Sequence, residues 1–387
     1  MKKKSFKRYR VLLILPSPIL IDFFFKDYIH RLNKVTDLFV TTNFKSESYM
    51  SVTKLPTNFI NLPIERSINI FKDLSALFFL IKFLLRSDFD LVISASPKAG
   101  FLGMIASFFT GVKKRIHIFQ GEVWSNKVGL LRFILKNCDY FTHLLSTNSL
   151  CVSFSERNFL QASGFEITRK KITVLGKGSI CGVDLKIFKP ISAARVKLLR
   201  SKFNIREDAI VLLYLGRISS DKGVLRLAEA FVNLAQKFPN LSIVFSGPDE
   251  EVLIPQIIDI LGRYRTRCFF TGFTDVPKDI IGMSDFLCLP SLREGFGNVI
   301  IEAAAMKIPA IGSNIYGIKD AIKNNKTGLL FDLNVDNDLE NKISLLCINK
   351  KYRLRLGIDA YKFSVKHYDS NSVINSYLRF IFSVLER

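Results

Sequence analysis

Pro290-Ser291-Leu292-Arg293-Glu294-Gly295-Phe296-Gly297-Asn298 runs into Val299-Ile300-Ile301-Glu302, a glycine-spaced loop opening an apolar helix. Just before it, Asp285 to Leu289 is a short apolar run that reads as a buried strand. Strand, glycine loop and helix start in that order form one step of a parallel α/β sheet. The step recurs on either side. Ala209–Leu215 reads as a strand ending at Gly216. Val224, Leu227, Ala228, Phe231, Leu234, Ala235 and Phe238 then follow at helical spacing, after possible caps at Ser219-Ser220-Asp221. Strands are expected at 241–245, 268–273, 309–312 and 327–331, with helices to about Gly262, over 276–283 and over 298–306. Asp336-Asn337-Asp338 reads as a further helix cap. The tail from Lys351 reads as two helices, the second over 372–385.

The first half repeats the pattern. Strands are expected at 10–15, 37–41, 91–95, 115–119, 150–153 and 172–175, and helices at 19–33, 68–85, 99–110, 128–137 and 154–163. Residues 44–66, with Pro56 and Pro63, read as loop, and Gly176 to Pro190 as a linker. The fold class is therefore α/β, two Rossmann-like doubly wound parallel-sheet domains facing across a cleft. The expected divisions are 1–180, 191–365 and a terminal segment 366–387.

In open sheets of this kind, ligands bind beyond the carboxyl ends of the strands. In the second domain those loops hold Gly216, Arg217 and Lys222 on one side and residues 290–298 on the other. Glycine lets the backbone approach a ligand, and a helix start offers free N–H groups with partial positive charge. Arg217 binds bidentately and Lys222 as a point charge, so together they suit a diphosphate without a metal. Glu302, two turns into its helix, reaches ribose hydroxyls, and Glu294 reaches those of a sugar.

Composition narrows the classes. The net charge is +22: residues 1–190 carry 29 basic and 13 acidic side chains (+16), and the remainder 27 and 21 (+6). The first half therefore suits an anionic partner. Six cysteines without C-x-x-C spacing and four histidines argue against zinc or a disulfide framework, and fit a reducing cytoplasm. The basic start is followed by Pro16, Pro18 and Asp22, a poor signal peptide, and the run 74–85 is too short to span a bilayer. Asp88-Phe89-Asp90 reads as a turn or cap rather than a metal site, and His117 as a core histidine within a strand.

The Glu294…Glu302 spacing resembles the signature of family-four retaining glycosyltransferases of the GT-B fold. Tyr214–Arg217, Lys222-Gly223, Ser246-Gly247-Pro248, Phe270–Phe273, Thr327–Phe331 and Gly182-Val183-Asp184 support the resemblance. It implies that Arg217 and Lys222 hold the donor diphosphate, that Glu302 holds the ribose and that Glu294 contacts the donor sugar. Gly216, Gly295, Phe296, Gly297, Asn298 and Val299 would complete the donor site, with Phe273 near the base. Glu294, Arg217 and Lys222 are the catalytic candidates. The last helix is implied to cross back onto the first domain.

Ser96–Gly100 and His117–Trp124 resemble enzymes that build bacterial surface polysaccharides, of O-antigen or lipopolysaccharide type, on lipid carriers. Gln120-Gly121 stands where many members carry His-Gly. On the acceptor side the candidates are Ser17, Lys98, His117, Gln120 and Lys177. The implied reaction is hexosyl or N-acetylhexosaminyl transfer, metal-independent and without cofactor, from a nucleotide-sugar, UDP by family frequency, to a polyprenyl-diphosphate-linked glycan. The implied location is cytoplasmic, peripheral on the anionic inner face of the membrane. Rival readings are a soluble glucan or sugar-phosphate synthase of the same fold and a basic nucleic-acid binder. The second has only net charge behind it.

Overall fold

The computed structural model describes residues 8–44, 55–65, 68–165 and 172–387. The basic start through Lys7 and residues 45–54 of the loop-like segment lie outside these. The chain divides into two units, Met1–Cys181 with Val373–Arg387, and Gly182–Ser372.

The first unit begins with β1 (Arg10–Ile14), α1 (Pro18–Leu20), a π-helical turn Ile21–Phe25, and α2 (Lys26–Val35). Then come β2 (Asp37–Thr42), β3 (Asn58–Asn61), α3 (Ile70–Leu85), β4 (Leu91–Ala95) and α4 (Pro97–Phe109). β5 (Lys114–Phe119), α5 (Gly129–Leu145), β6 (Asn148–Cys151), α6 (Phe154–Ala162) and β7 (Ile172–Val174) complete the run. The seven strands form one parallel sheet in the order β3-β2-β1-β4-β5-β6-β7, so the topology reverses between β1 and β4.

The second unit contains α7 (Ala193–Lys202), β8 (Ile210–Leu215), α8 (Val224–Ala235), β9 (Leu241–Ser246), α9 (Ile254–Leu261) and β10 (Cys268–Gly272). It continues with α10 (Pro277–Gly282), β11 (Phe286–Leu289), α11 (Asn298–Ala305), β12 (Ala310–Ser313), α12 (Ile318–Ala321), β13 (Gly328–Phe331), α13 (Asp338–Ile348) and α14 (Lys350–His367). Its parallel sheet runs β10-β9-β8-β11-β12-β13, with the reversal between β8 and β11. Strand β8 reads as a continuous apolar run, and β9 as one broken by the buried Ser242, because both faces of the sheet are covered. α15 (Ser370–Leu385) begins in this unit and finishes in the first. There Tyr377 stacks edge-on against Tyr28 and donates to the Ser179 carbonyl at 3.2 Å, and Ile374, Ile381 and Leu385 are buried.

Four sequence expectations change. The segment expected as loop contains the edge strand β3. Its four residues, Asn-Phe-Ile-Asn, are exposed at both ends, so no apolar run announces it. Helix α5 continues to Leu145 because the Asn137 amide bonds the Phe133 carbonyl inside the helix instead of ending it. β6 sits two residues earlier than expected, because Ser153 caps α6 by accepting from the Glu156 N–H. Asp221 does not cap α8, which starts at Gly223 without a side-chain cap.

Beyond β5, Trp124 is fully buried, stacked on Phe159 and Phe165, and its indole N–H donates to Asp139 of α5 at 2.9 Å. In the second unit, the ends of β8 and β9 touch backbone to backbone. A β-carbon at Gly247 would lie 1.8 Å from the Gly216 carbonyl oxygen, and Gly247 has φ +140°. Gly247→Ala is therefore expected to destabilise the protein by about 3 kcal/mol or more, because neither strand end can yield without breaking the ladder. Urea denaturation of the two proteins checks this.

Candidate active site

The carboxyl ends of β8 and β11 flank the topological reversal of the second sheet, the place where such sheets bind ligands. The residues after these two strands meet there. The backbone approach is again close: a β-carbon at Gly223, which has φ +70°, would lie 2.2 Å from the Pro290 carbonyl oxygen. The Leu292 N–H donates to the Asp221 carbonyl at 2.9 Å, tying the two loops together.

On this frame, charged side chains interlock. The Lys222 ammonium lies 2.6 Å from a Glu294 carboxylate oxygen that also accepts from the Ser291 hydroxyl at 3.0 Å. Both members of the ion pair are largely buried. Asp221 accepts from the Ser219 hydroxyl at 2.6 Å and from Arg293 at 3.0 Å, and it lies 3.7 Å from Arg217. Arg217 donates to Glu250, on the loop after β9. Glu251, beside it, accepts from the backbone and hydroxyl of Ser220.

Three cations, Arg217, Lys222 and Arg293, are thus matched by Asp221, Glu250 and Glu294. Burial works against charge at Arg217, but Glu250 and Asp221 outweigh it and hold its pKa above the ordinary value. Burial likewise opposes the charge on Asp221, where the Ser219 hydroxyl, Lys222 and the two arginines prevail and hold the pKa below its usual value. The three cations are thus held in fixed positions by protein carboxylates.

The sequence-derived donor residues Gly216, Arg217, Lys222, Glu294, Gly295, Gly297, Asn298 and Val299 all lie on these two loops or on the first turn of α11. Phe296 differs. Its ring is buried against Tyr368, 5.2 Å between centroids, so only its backbone is available to a ligand. Phe273, beyond β10, exposes its ring. Glu302 sits one helix turn deeper than the loop. No hydrogen bond or ion pair to its carboxylate occurs among the described residues, and burial pushes its pKa up to about 7. Asp221, Glu250, Ser291 and Arg293 were not singled out for chemistry in the sequence. Their partners are up to 72 positions away, and only the folded loops bring them together.

The acceptor-side candidates belong to the first unit and follow different strands or, for His117, lie within one. Ser17 begins α1 beyond β1. Lys98, in the first turn of α4, pairs with Asp73 of α3 at 2.8 Å. Gln120 follows β5 directly, and Lys177 is exposed after β7. His117 is fully buried. Its Nδ1 meets the Ser94 hydroxyl at 2.9 Å, its ring fills the space beside Gly100, and burial lowers its pKa to about 3. It is a neutral core side chain rather than a surface that an acceptor touches. Asp90 accepts from the Arg10 N–H at 2.8 Å, as a turn residue does. Among the described residues, no group of three His, Cys, Asp or Glu is placed to hold a metal ion.

Residues 196–363 match the family of group 1 glycosyl transferases. The chain carries a group 1 glycosyltransferase domain. A capsular polysaccharide biosynthesis glycosyltransferase, CapM of Staphylococcus aureus, is 28% identical over 302 residues, 78% of each chain. The UDP-Gal:alpha-D-GlcNAc-diphosphoundecaprenol alpha-1,3-galactosyltransferase of Escherichia coli is 28% identical over 290 residues, 73% of this chain and 71% of its own. Among solved structures, Anabaena HepE in complex with UDP and glucose superposes with a TM-score of 0.79 at 16% identity, over 97% of this chain and 100% of that one. The two parallel-sheet units are those of the GT-B fold, and the protein is a glycosyltransferase.

The raised Glu302 pKa has a consequence for stability. A carboxyl whose folded-state value lies above its ordinary 4.5 leaves stability unaffected below about pH 4.5 and lowers it progressively through pH 7. Glu302→Gln is therefore expected to stabilise the ligand-free protein at pH 8 by about 1–2 kcal/mol, after allowance for its partial exposure, and to be near neutral at pH 5. Urea midpoints at the two pH values check this.

Proposed function

We propose that this glycosyltransferase moves a sugar, with retention at the anomeric carbon and without a metal, from a nucleotide diphosphate sugar to a glycan carried on a polyprenyl diphosphate. The observation that carries the reading is the convergence of Arg217, Lys222 and Arg293 with the start of α11 at the reversal point of the second sheet. Breaking the bond between the anomeric carbon and the diphosphate leaves negative charge on phosphate oxygens. Cations already fixed by Asp221, Glu250 and Glu294 stabilise that charge without reorganising. They supply the positive charge that a divalent ion supplies elsewhere.

Lys222 has three donors, so it can keep Glu294 and still reach a phosphate. In this reading Glu294, oriented by Lys222 and Ser291, takes sugar hydroxyls, and Glu302, without a partner among the described residues, takes those of a ribose. The transition state has oxocarbenium character. The acceptor proton passes to the departing phosphate, and no side-chain nucleophile is used.

A UDP donor is supported by the names of the similar proteins, one a UDP-galactose enzyme and one holding UDP. A lipid-linked acceptor at an anionic membrane is supported by the substrate named for the E. coli relative and by the +16 excess over residues 1–190. It fits a cytoplasmic enzyme held at the inner face of the membrane.

Transfer from labelled UDP-sugars to a polyprenyl-diphosphate disaccharide is the test. Lys222→Ala is expected to lower kcat by roughly 100- to 1,000-fold, as loss of one preorganised donor to a developing anion does. Wild-type rates in that variant would remove the proposed site. EDTA is expected to leave the wild-type rate unchanged, and proton NMR of the product to show the donor's anomeric configuration. A chelator-sensitive rate or an inverted product would overturn those two parts of the mechanism.

A further inference from the structure

The first unit exposes apolar side chains that its own fold does not use. Every residue from Asn126 to Ile134 is exposed, across the start of α5, with Val128 at 84%, Leu130 at 72% and Phe133 at 64%. The same helix is buried further on, at Asp139, Thr142 and His143. Its second half is therefore anchored in the unit, while its first turns are exposed, with Arg132 lying over the Trp124 ring. A helix start that exposes Leu130, Leu131, Phe133 and Ile134 together has no role in a core. Its only charges before Asp139 are Lys127, Arg132 and Lys136.

Helix α3 repeats the chemistry. Phe71, Phe78 and Leu85 recur every seven residues along one outward stripe, joined by Leu74, and all four are exposed. Lys82 and Arg86 are exposed on the same outward side, while Asp73 is turned inward to pair with Lys98. Helix α4 packs between α3 and α5, so the two belong to one helical layer, and its own end adds exposed Phe108 and Phe109. Across this layer, the exposed residues of α3 and of the α5 start are apolar or basic apart from the uncharged Ser75 and Asn126, and include no carboxylate.

We propose that the α3–α5 layer is a membrane-docking surface, with the start of α5 and the Phe71–Leu85 stripe seated among the headgroups of an anionic bilayer. Charge decides for lipid over a protein partner. Phenylalanine and leucine enter the interface while lysine and arginine at their margins meet lipid phosphates, and a carboxylate-free layer is repelled nowhere by an anionic surface. No helix of the described residues is long and apolar enough to cross a membrane, so the contact is in-plane. α5 starts just past the carboxyl end of β5, the edge of the sheet from which the loops at Ser17, Lys98 and Gln120 also emerge. Docking there brings that edge to the depth at which a lipid-linked diphosphate lies. The inference extends the lipid-linked acceptor reading but is tested without it.

The experiment is co-sedimentation of the full-length protein with vesicles of phosphatidylglycerol and phosphatidylethanolamine, alongside neutral phosphatidylcholine vesicles. The double variants are Leu130→Ser with Phe133→Ser, Phe71→Ser with Phe78→Ser, and Lys82→Glu with Arg86→Glu. The wild type is expected to bind the anionic vesicles and to bind the neutral ones at least about tenfold more weakly. Each double variant is expected to lose about tenfold or more in binding to anionic vesicles, with unchanged circular dichroism and thermal midpoint. Transfer to a water-soluble, short-chain acceptor is expected to stay within about twofold of wild type, since none of the six residues lies at the donor site. Variants that bind as well as wild type, or a wild type that ignores anionic vesicles and self-associates through this layer, would overturn the proposal. A protein that binds vesicles as described but transfers no sugar would remove the proposed reaction and leave the surface standing.

Discussion

At the carboxyl ends of β8, β9 and β11 the backbone comes together more tightly than any side chain allows. Gly247 lies against the Gly216 carbonyl and Gly223 against that of Pro290. The approach is a consequence of parallel strands ending side by side, each turning out of the sheet at the same level. Everything else at the site depends on it. Because the loops touch, Asp221 can hold Leu292 through its carbonyl and Arg293 through its carboxylate, and Lys222 can reach Glu294. Separating these loops by even a side-chain radius would turn an interlocked group of charges into isolated surface residues. Such residues are well solvated and hold no fixed geometry.

That interlocking also sets the electrostatics. A cluster of three unpaired cations on two short loops would repel itself and disorder the loops. Three carboxylates prevent this by pairing with them. The opposing influences at Arg217 and Asp221, burial against neighbouring charge, come down on the side of full ionisation for both. Glu302 is the exception. It has burial without a hydrogen-bond or ion-pair partner among the described residues, and is the one carboxylate of the pattern whose pKa is displaced upward. A group left unsatisfied in this way is stabilised by whatever brings it hydrogen-bond donors, and ribose hydroxyls are such donors.

Much of this was legible before the structure. Strands such as Leu91–Ala95 and Phe286–Leu289 are apolar runs closed by glycine, proline or serine, and the glycine-spaced loop before Asn298 marked the ligand edge. What escaped the sequence has three physical causes. β3 is an edge strand whose Asn58 and Asn61 face outward, so its four residues carry no periodicity. The helix expected to end at Asn137 runs on to Leu145, and the Asn137 amide satisfies a carbonyl of its own helix. The roles of Asp221, Glu250 and Arg293 come from partners far away in the chain, which no local pattern encodes. Phe296 shows the converse. It stands inside the most informative motif, but its side chain belongs to the core and only its backbone to the loop.

Trp124 is the one tryptophan in the chain. It lies between the loop that carries Gln120 and the helix that projects Leu130 and Phe133, clamped by two phenylalanine rings and tethered to Asp139, with Arg132 and Lys136 over its ring system. Any tilt or settling of that helix must disturb the indole's surroundings. The protein thus carries its own optical gauge: the wavelength and quenching of a single intrinsic fluorophore follow one joint of the molecule, with no dye or label attached.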